Sequence, residues 1–259
     1  MRAPKTVRVT RYVTPLREGG SLPAIVEAED DGLYVLKFRG AGQGPRALIA
    51  ELVSGEIARQ LGLPVPEIVF AEIDPDLART EPDPEIHALI HDSAGLNLAL
   101  DYLPGSVTYD PIVQRIDPDL AARIVWFDAY TTNVDRTARN TNMLMWHRRL
   151  WLIDHGASLY VHHLAGWEVG SSRSGDPFPL IKDHVLRKHA GMVRAVDQSM
   201  TDALTPSAIE AIVSWIPEAW LATGEPGREA EPQREAYARY LVERLIAPRA
   251  FVEEASRGR

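Results

Sequence analysis

No cysteine occurs anywhere in this chain of 259 residues. Disulfides, thiolate metal sites and cysteine nucleophiles are thereby excluded, and a reducing compartment fits what remains. Equally absent is any uninterrupted apolar run approaching the roughly 18 residues of a membrane-spanning helix. The start, Met1 to Arg8, runs into an alternating strand pattern rather than the apolar core of a signal peptide. Positive charge is also short: 28 Lys and Arg against 36 Asp and Glu leave a net charge of −8. Such a balance argues against a protein that coats nucleic acid or anionic membrane through its overall charge. The absences together describe a soluble, cytoplasmic protein with no membrane span and no direct nucleic-acid partner. If an acidic chain of this kind takes a polyphosphate, metal and a few placed cations have to hold it.

What is present suffices for one large domain or for two lobes around a cleft, because a chain of this length buries roughly 70 to 75% of its unfolded surface. The first hundred residues are strand-rich. Val7 to Tyr12, Ala24 to Ala28 and Tyr34 to Phe38 are short β-type runs separated by Gly19-Gly20 and Asp30-Asp31-Gly32, which predicts a meander. Apolar residues recur at helical spacing from Arg46 to Leu61, with Gly62 and Pro64 as the stop. Two more strands are expected at Glu67 to Ile73 and Ile86 to Ile90, across a solvated acidic loop, Asp74 to Glu85. Beyond Leu96 to Gly105 the character turns helical. Asp117-Pro118 opens a helix that delivers the chain to Asn133. Met143 to Trp146 and Leu150 to Ile153 read as a hairpin, Thr205-Pro206 opens a helix through Trp215, and Arg234 to Ala247 reads as a terminal helix. There is no internal repeat.

Two short segments carry the chemistry. Asn133-Val134-Asp135-Arg136-Thr137-Ala138-Arg139-Asn140 places an aspartate five residues before an asparagine, and Ile153-Asp154-His155-Gly156 follows after an apolar stretch. Asp-x4-Asn followed by Asp-x-Gly is the order in which kinase-type phosphotransferases place a base and two magnesium ligands. In that reading Asp135 orients or deprotonates an attacking hydroxyl, Asn140 offers magnesium a neutral oxygen, and Asp154 is the anionic ligand bridging metal to the β- and γ-phosphates. Hard magnesium prefers such oxygen ligands.

Upstream, Lys37 stands in an apolar strand, where it can hold the α- and β-phosphates when oriented by a glutamate on the following helix. Glu51 and Glu56 are both available and helical phase does not settle the choice; Glu51 is favoured, with Glu56 expected to face solvent. Gly19, Gly20 and Ser21, one strand earlier, can bring backbone amides close to phosphate oxygens. Asp101, Tyr102 and Leu103 sit where the strand-rich half meets the helical half, the junction whose backbone faces adenine in a two-lobed nucleotide binder. A competing metal-hydrolase reading from His147, His155, His162, His163, His184, His189, Asp154 and Asp183 lacks any His-Glu-x-x-His helical pair.

In this order the segments resemble the HipA-like kinases, a bacterial branch of the kinase-like superfamily that is also similar to the phosphatidylinositol 3- and 4-kinases. The matching stretches are Gly19 to Pro23, Tyr34 to Phe38, Glu51 through Gly62 to Glu67, Asp135 to Asn140 and Ile153 to Gly156. The resemblance implies an α+β, two-lobed protein-kinase-like fold, with a strand-rich N-lobe over 1–101 and a mainly helical C-lobe over 102–259. It implies ATP, Mg²⁺ or Mn²⁺ in its place, and an acceptor hydroxyl, most simply a Ser or Thr of a protein, this one included. The chain departs from regulated protein kinases in carrying Asn133-Val134 where that pattern has His-Arg, and no Ala-Pro-Glu closes an activation segment. His155 takes the place of the usual phenylalanine, so it is expected to hydrogen-bond rather than pack. A small-molecule or lipid-headgroup kinase on the same fold, and a nucleotide-binding pseudokinase, are the alternatives.

Overall fold

Alternation in the N-terminal strands produces a closed barrel. The computed structural model describes residues 2–16, 22–164, 166–167, 173–188, 190, 192–221 and 229–257. Strands β1 (Thr6–Pro15), β2 (Ala24–Ala28) and β3 (Leu33–Lys37) form the expected antiparallel meander. The sheet continues through β5 (Gly95–Asp101) to β4 (Ile68–Ile73), and β4 closes the barrel by pairing in parallel with β1. Val7, Val9, Val26, Leu36, Val69, Ala71 and Ala99 fill its interior. On β4 and β5 the alternate residues Ile68, Phe70, Leu98 and Leu100 belong instead to the larger core that includes helix α1 (Pro45–Gln60). A period of two thus gives these strands two apolar faces, one for the barrel and one for the helix.

Helix α1 is buried along every residue from Leu48 to Ala58, because it lies between the barrel and the later helices. It ends where sequence places the stop: Gly62 has φ +69°, with its N–H donated to the Arg59 carbonyl and that of Leu63 to Ala58, both at 2.9 Å. The left-handed turn favours glycine.

The segment Ile86–Ile90 is not a strand. It belongs to helix α2 (Pro84–Asp92), whose N-cap Asp83 accepts the Glu85 N–H at 3.0 Å. Ile86 and Ile90, one helical turn apart, pack onto the barrel core while His87 faces out. The preceding acidic stretch is largely exposed, as expected, but it is ordered. Its residues Pro75–Thr80 form a 3₁₀ turn capped by Asp74, and Ala78 is buried against the barrel.

The remainder is mostly helical around a three-stranded sheet of β6 (Val107–Thr108), β7 (Met143–Trp146) and β8 (Arg149–Leu152). The predicted hairpin is present, turning through His147 and Arg148, both at positive φ. Helix α3 (Pro118–Thr131) starts on Asp117, which accepts the N–H groups of Asp119 and Leu120. Thr205 caps α5 (Pro206–Ser214) in the same way. Between these lies α4 (Val193–Ala203), and after them come α6 (Glu218–Leu221), α7 (Ala230–Arg244) and α8 (Ala250–Ser256). The helix expected over Arg234 to Ala247 is α7, but it is not terminal, because α8 follows it. Helix α7 ends on Arg244, a buried guanidinium that donates to the Ala129 and Tyr130 carbonyls at the end of α3 and to the Ser174 and Asp176 carbonyls. Four carbonyls share one cation there, two of them orphan C-terminal groups of α3. Among the described residues no helix is long and apolar enough to cross a membrane.

Candidate active site

Strand β3 ends on Lys37, whose side chain is only 12% exposed and turns toward α1 and the segment after β8. Its ammonium lies 2.6 Å from Asp154 Oδ1 and 3.5 Å from Glu51 Oε2. Residues far apart in sequence thus converge on one cation. Burial alone would lower the Lys37 pKa, but Glu51 and Asp154 outweigh it and hold the ammonium well above its ordinary value. Burial likewise pushes the Glu51 carboxyl up; Lys37 and His155 reverse that and bring it to about 2. Glu51 is the glutamate that reaches Lys37. Glu56 does not, and it does not face solvent either: it is buried, 3.5 Å from Arg59, with its pKa raised first by burial.

Asp154 adopts φ 56°, a left-handed conformation that aspartate tolerates better than most residues, and its side chain is 42% exposed. The turn leaves a carboxylate open to solvent at the end of β8. His155 next to it is fully buried, with Nδ1 3.4 Å from Glu51 Oε1 and its ring edge-on to Phe127. It therefore both hydrogen-bonds and packs. Helix α1 approaches this ring through Gly55, where an added Cβ would come 2.4 Å from Ile68 Cδ1 and 3.9 Å from His155 Nδ1.

The loop after α3 brings Asp135 and Asn140 together, Asn140 Nδ2 donating to Asp135 Oδ2 at 2.7 Å. Asn142, which sequence reading missed, donates to the same oxygen at 3.1 Å. A carboxylate only accepts, so both amides present NH₂ to it, and the Asn140 amide oxygen remains available as an acceptor. Asn142 also ties the two motifs together. Its carbonyl accepts the N–H of Ile153, immediately before Asp154, at 3.0 Å, and also accepts from Arg136 Nη1.

Beneath the loop lies a buried ionic network. Asp128 on α3 accepts from Arg136 Nε at 2.6 Å, His184 Nε2 at 2.8 Å and Asn133 Nδ2 at 3.0 Å. Burial would raise the Asp128 pKa, but Arg136 first and His184 next bring it to about 2. Asn133 in turn accepts the Asp135 N–H at 3.0 Å, so the network supports the loop backbone at Asp135, whose side chain is partly buried. A lone aspartate inside the apolar run from Ile124 to Tyr130 was the available sign of it.

Gly19, Gly20 and Ser21 lie outside the described residues; on either side of them, the Leu16 N–H donates to the Pro23 carbonyl at 2.7 Å. At the junction, the Asp101 and Tyr102 amides are committed to the Glu67 and Leu33 carbonyls at 2.8 and 3.0 Å. The Leu103 carbonyl accepts the Ser106 N–H at 3.2 Å. Among the described residues no group of three or more His, Asp or Glu side chains gathers as a metal cage. A divalent cation here would need Asp154, an amide oxygen such as that of Asn140, phosphate oxygens and water, a donor set that suits magnesium.

A protein-family model described as HipA-like kinase matches residues 9–245. Among solved structures, the chain is similar to the Helicobacter pylori proinflammatory kinase CtkA, with a TM-score of 0.56 at 14% identity over 97% of both chains. It is more distantly similar to the Golgi casein kinase, with a TM-score of 0.47 at 12% identity over 96% of this chain and 75% of that one. The same enzyme solved with Mn/ADP bound gives a TM-score of 0.46 at 12% identity, over the same shares of the two chains. A search of curated protein sequences returned no match.

Proposed function

The chain belongs to the HipA-like kinase family, and from that premise we propose that it is an ATP- and Mg²⁺-dependent kinase that phosphorylates a protein serine or threonine. The observation that carries the proposal is the convergence of Glu51 and Asp154 on Lys37, with the Asp135–Asn140 loop joined to Asp154 through Asn142 and Ile153. In this reading the barrel (1–101) and the helical part (102–259) are the two lobes, and the chain works in the cytoplasm.

The chemistry asks mainly for position and charge. Glu51 holds the Lys37 ammonium where it meets the α- and β-phosphate oxygens. Asp154 and the Asn140 amide oxygen would hold magnesium, which when bound would neutralise phosphate charge. Asp135 faces the acceptor, and the Asn140 and Asn142 amides fix its carboxylate orientation; it takes the hydroxyl proton as the oxygen attacks the γ-phosphorus and ADP departs. The Leu103 amide has no acceptor among the described residues, and this favours it as the adenine contact at the junction, alongside the carbonyls of Asp101 and Tyr102.

Incubation of the purified protein and γ-labelled ATP with cell lysate and, separately, with a metabolite pool tests the acceptor class. Label in serine or threonine of protein is expected. Label confined to small molecules would assign the chain to the alternative kinase class.

A further inference from the structure

We propose that the cleft beside the Asp135 loop is the acceptor site and that it selects an acidic protein segment; the proposal rests on the kinase reading above and adds the substrate class. The cleft has a volume of about 830 Å³, and Ala138, which lies between Asp135 and Asn140 in the sequence, is part of its lining. Its wall is anchored to that loop: the Val185 N–H donates to the Arg136 carbonyl at 3.1 Å, and Thr137 forms a β-bridge with His184. A chain lying in the cleft would therefore lie against the loop that carries Asp135.

The lining reverses the sign of the molecule. Lys182, Arg187, Lys188, Arg194 and Arg257 face it, with Asp183 the one acidic residue among the described lining, in a chain of net charge −8. Arg194 and Arg257 are paired with Glu253 and Glu254 of α8. Lys182 and Lys188 are exposed and have no carboxylate at ion-pair distance among the described residues. Arg187 donates to the Arg257 carbonyl, a neutral acceptor, and has no carboxylate at ion-pair distance among the described residues.

Between the cations stand apolar side chains that water does not favour, Ile112 at 91% and Met192 at 68% exposure. This mixture distinguishes among anionic partners. A single-stranded nucleic acid calls for stacking aromatics, and no Trp, Tyr or Phe lines the cleft among the described residues. A phosphorylated headgroup calls for convergent donors with little apolar contact. An extended polypeptide with acidic and apolar side chains in turn meets both kinds of lining, and complementary charge steers it in.

Fluorescence anisotropy with three labelled peptides tests this, each with one serine, leucine spacers and otherwise Glu, Gln or Lys. The wild-type chain should bind the Glu peptide at least about tenfold tighter than the Gln peptide, an advantage that shrinks with added salt. Lys182→Glu/Lys188→Glu, at two exposed positions remote from the Lys37 cluster, should erase that preference while its ATP turnover and melting temperature match wild type. Equal affinity for the three peptides would overturn the proposal, and so would an intact preference in the variant. Tight binding of anionic vesicles or oligonucleotide in place of the Glu peptide would also overturn it. Absence of ATP turnover in the wild type would remove the kinase reading and the acceptor role that rests on it, whereas the peptide comparison decides separately whether the cleft selects an acidic segment.

Discussion

Replacing Asp128 by Asn removes the carboxylate that balances Arg136 in a site where neither side chain is exposed. Three hydrogen bonds end on this carboxylate, at 2.6, 2.8 and 3.0 Å. An asparagine keeps one acceptor oxygen but turns an NH₂ toward donors, so the Arg136 charge is left buried and uncompensated. Breaking a buried pair from one side in this way costs about 3 to 5 kcal/mol, a large part of the roughly 5 to 15 kcal/mol that hold an ordinary domain together. With a urea slope of about 2 to 3 kcal/mol per M, the unfolding midpoint should drop by about 1 to 2.5 M. Asp128→Leu/Arg136→Met removes both charges and should be more stable than Asp128→Asn, because the two substitutions are strongly coupled. A loss below about 1 kcal/mol for Asp128→Asn, or simple additivity of the single substitutions, would refute the view that this ion pair supports the Asp135 loop.

Four further outcomes are expected. Lys37→Met should lower ATP turnover by about 10²-fold or more, the scale of losing one placed electrostatic contact; steady-state kinetics reads it. Glu51→Gln should lower turnover at least about tenfold, whereas Glu56→Gln, which contacts Arg59 and not Lys37, should leave it within about twofold. Acid should destabilise the fold in a defined window. Asp128 and Glu51 have ordinary values of 3.8 and 4.5 and are each held at about 2, so the stabilisation they give is complete above about pH 4.5 and is lost as the pH falls toward 2. For Asp128 alone this amounts to about 2 kcal/mol, and urea titrations between pH 6 and 3 should show stability falling; a rise on acidification would contradict the assignment. Asp154→Asn should abolish magnesium-dependent nucleotide binding by calorimetry while leaving the fold intact, because its carboxylate is partly exposed.

Sequence disclosed the parts of the candidate site that are local and ordered along the chain. Asp135 with Asn140, Asp154 before Gly156, the Asp117 cap and the hairpin through His147-Arg148 each depend on short-range chemistry. The choice between Glu51 and Glu56 was not legible, because α1 is buried on every side and so has no polar face to fix its phase. Ile86–Ile90 misled for a related reason: five residues with Ile at both ends fit a period of two as well as a helical turn. The deciding sign was the Asp83-Pro84 cap, the same pairing that had announced α3 at Asp117-Pro118. The Asp128–Arg136–His184 network required tertiary contact, since residues 128 and 184 meet only when the segment after the 3₁₀ turn Pro179–Asp183 folds back onto the loop. Helices α4 and α8 carry no motif, and packing alone defines them.

The central claim is that the cluster around Lys37, Asp135 and Asp154 moves a phosphoryl group. Transfer of label from γ-labelled ATP by the purified chain, wild type beside Asp135→Ala with nucleotide affinity measured in parallel, addresses it most directly. The account predicts magnesium-dependent transfer by the wild type and a loss of about 10²-fold or more in the variant, with affinity for ATP nearly unchanged. Labelled product undiminished in Asp135→Ala, or none from the wild type with either magnesium or manganese, would contradict it.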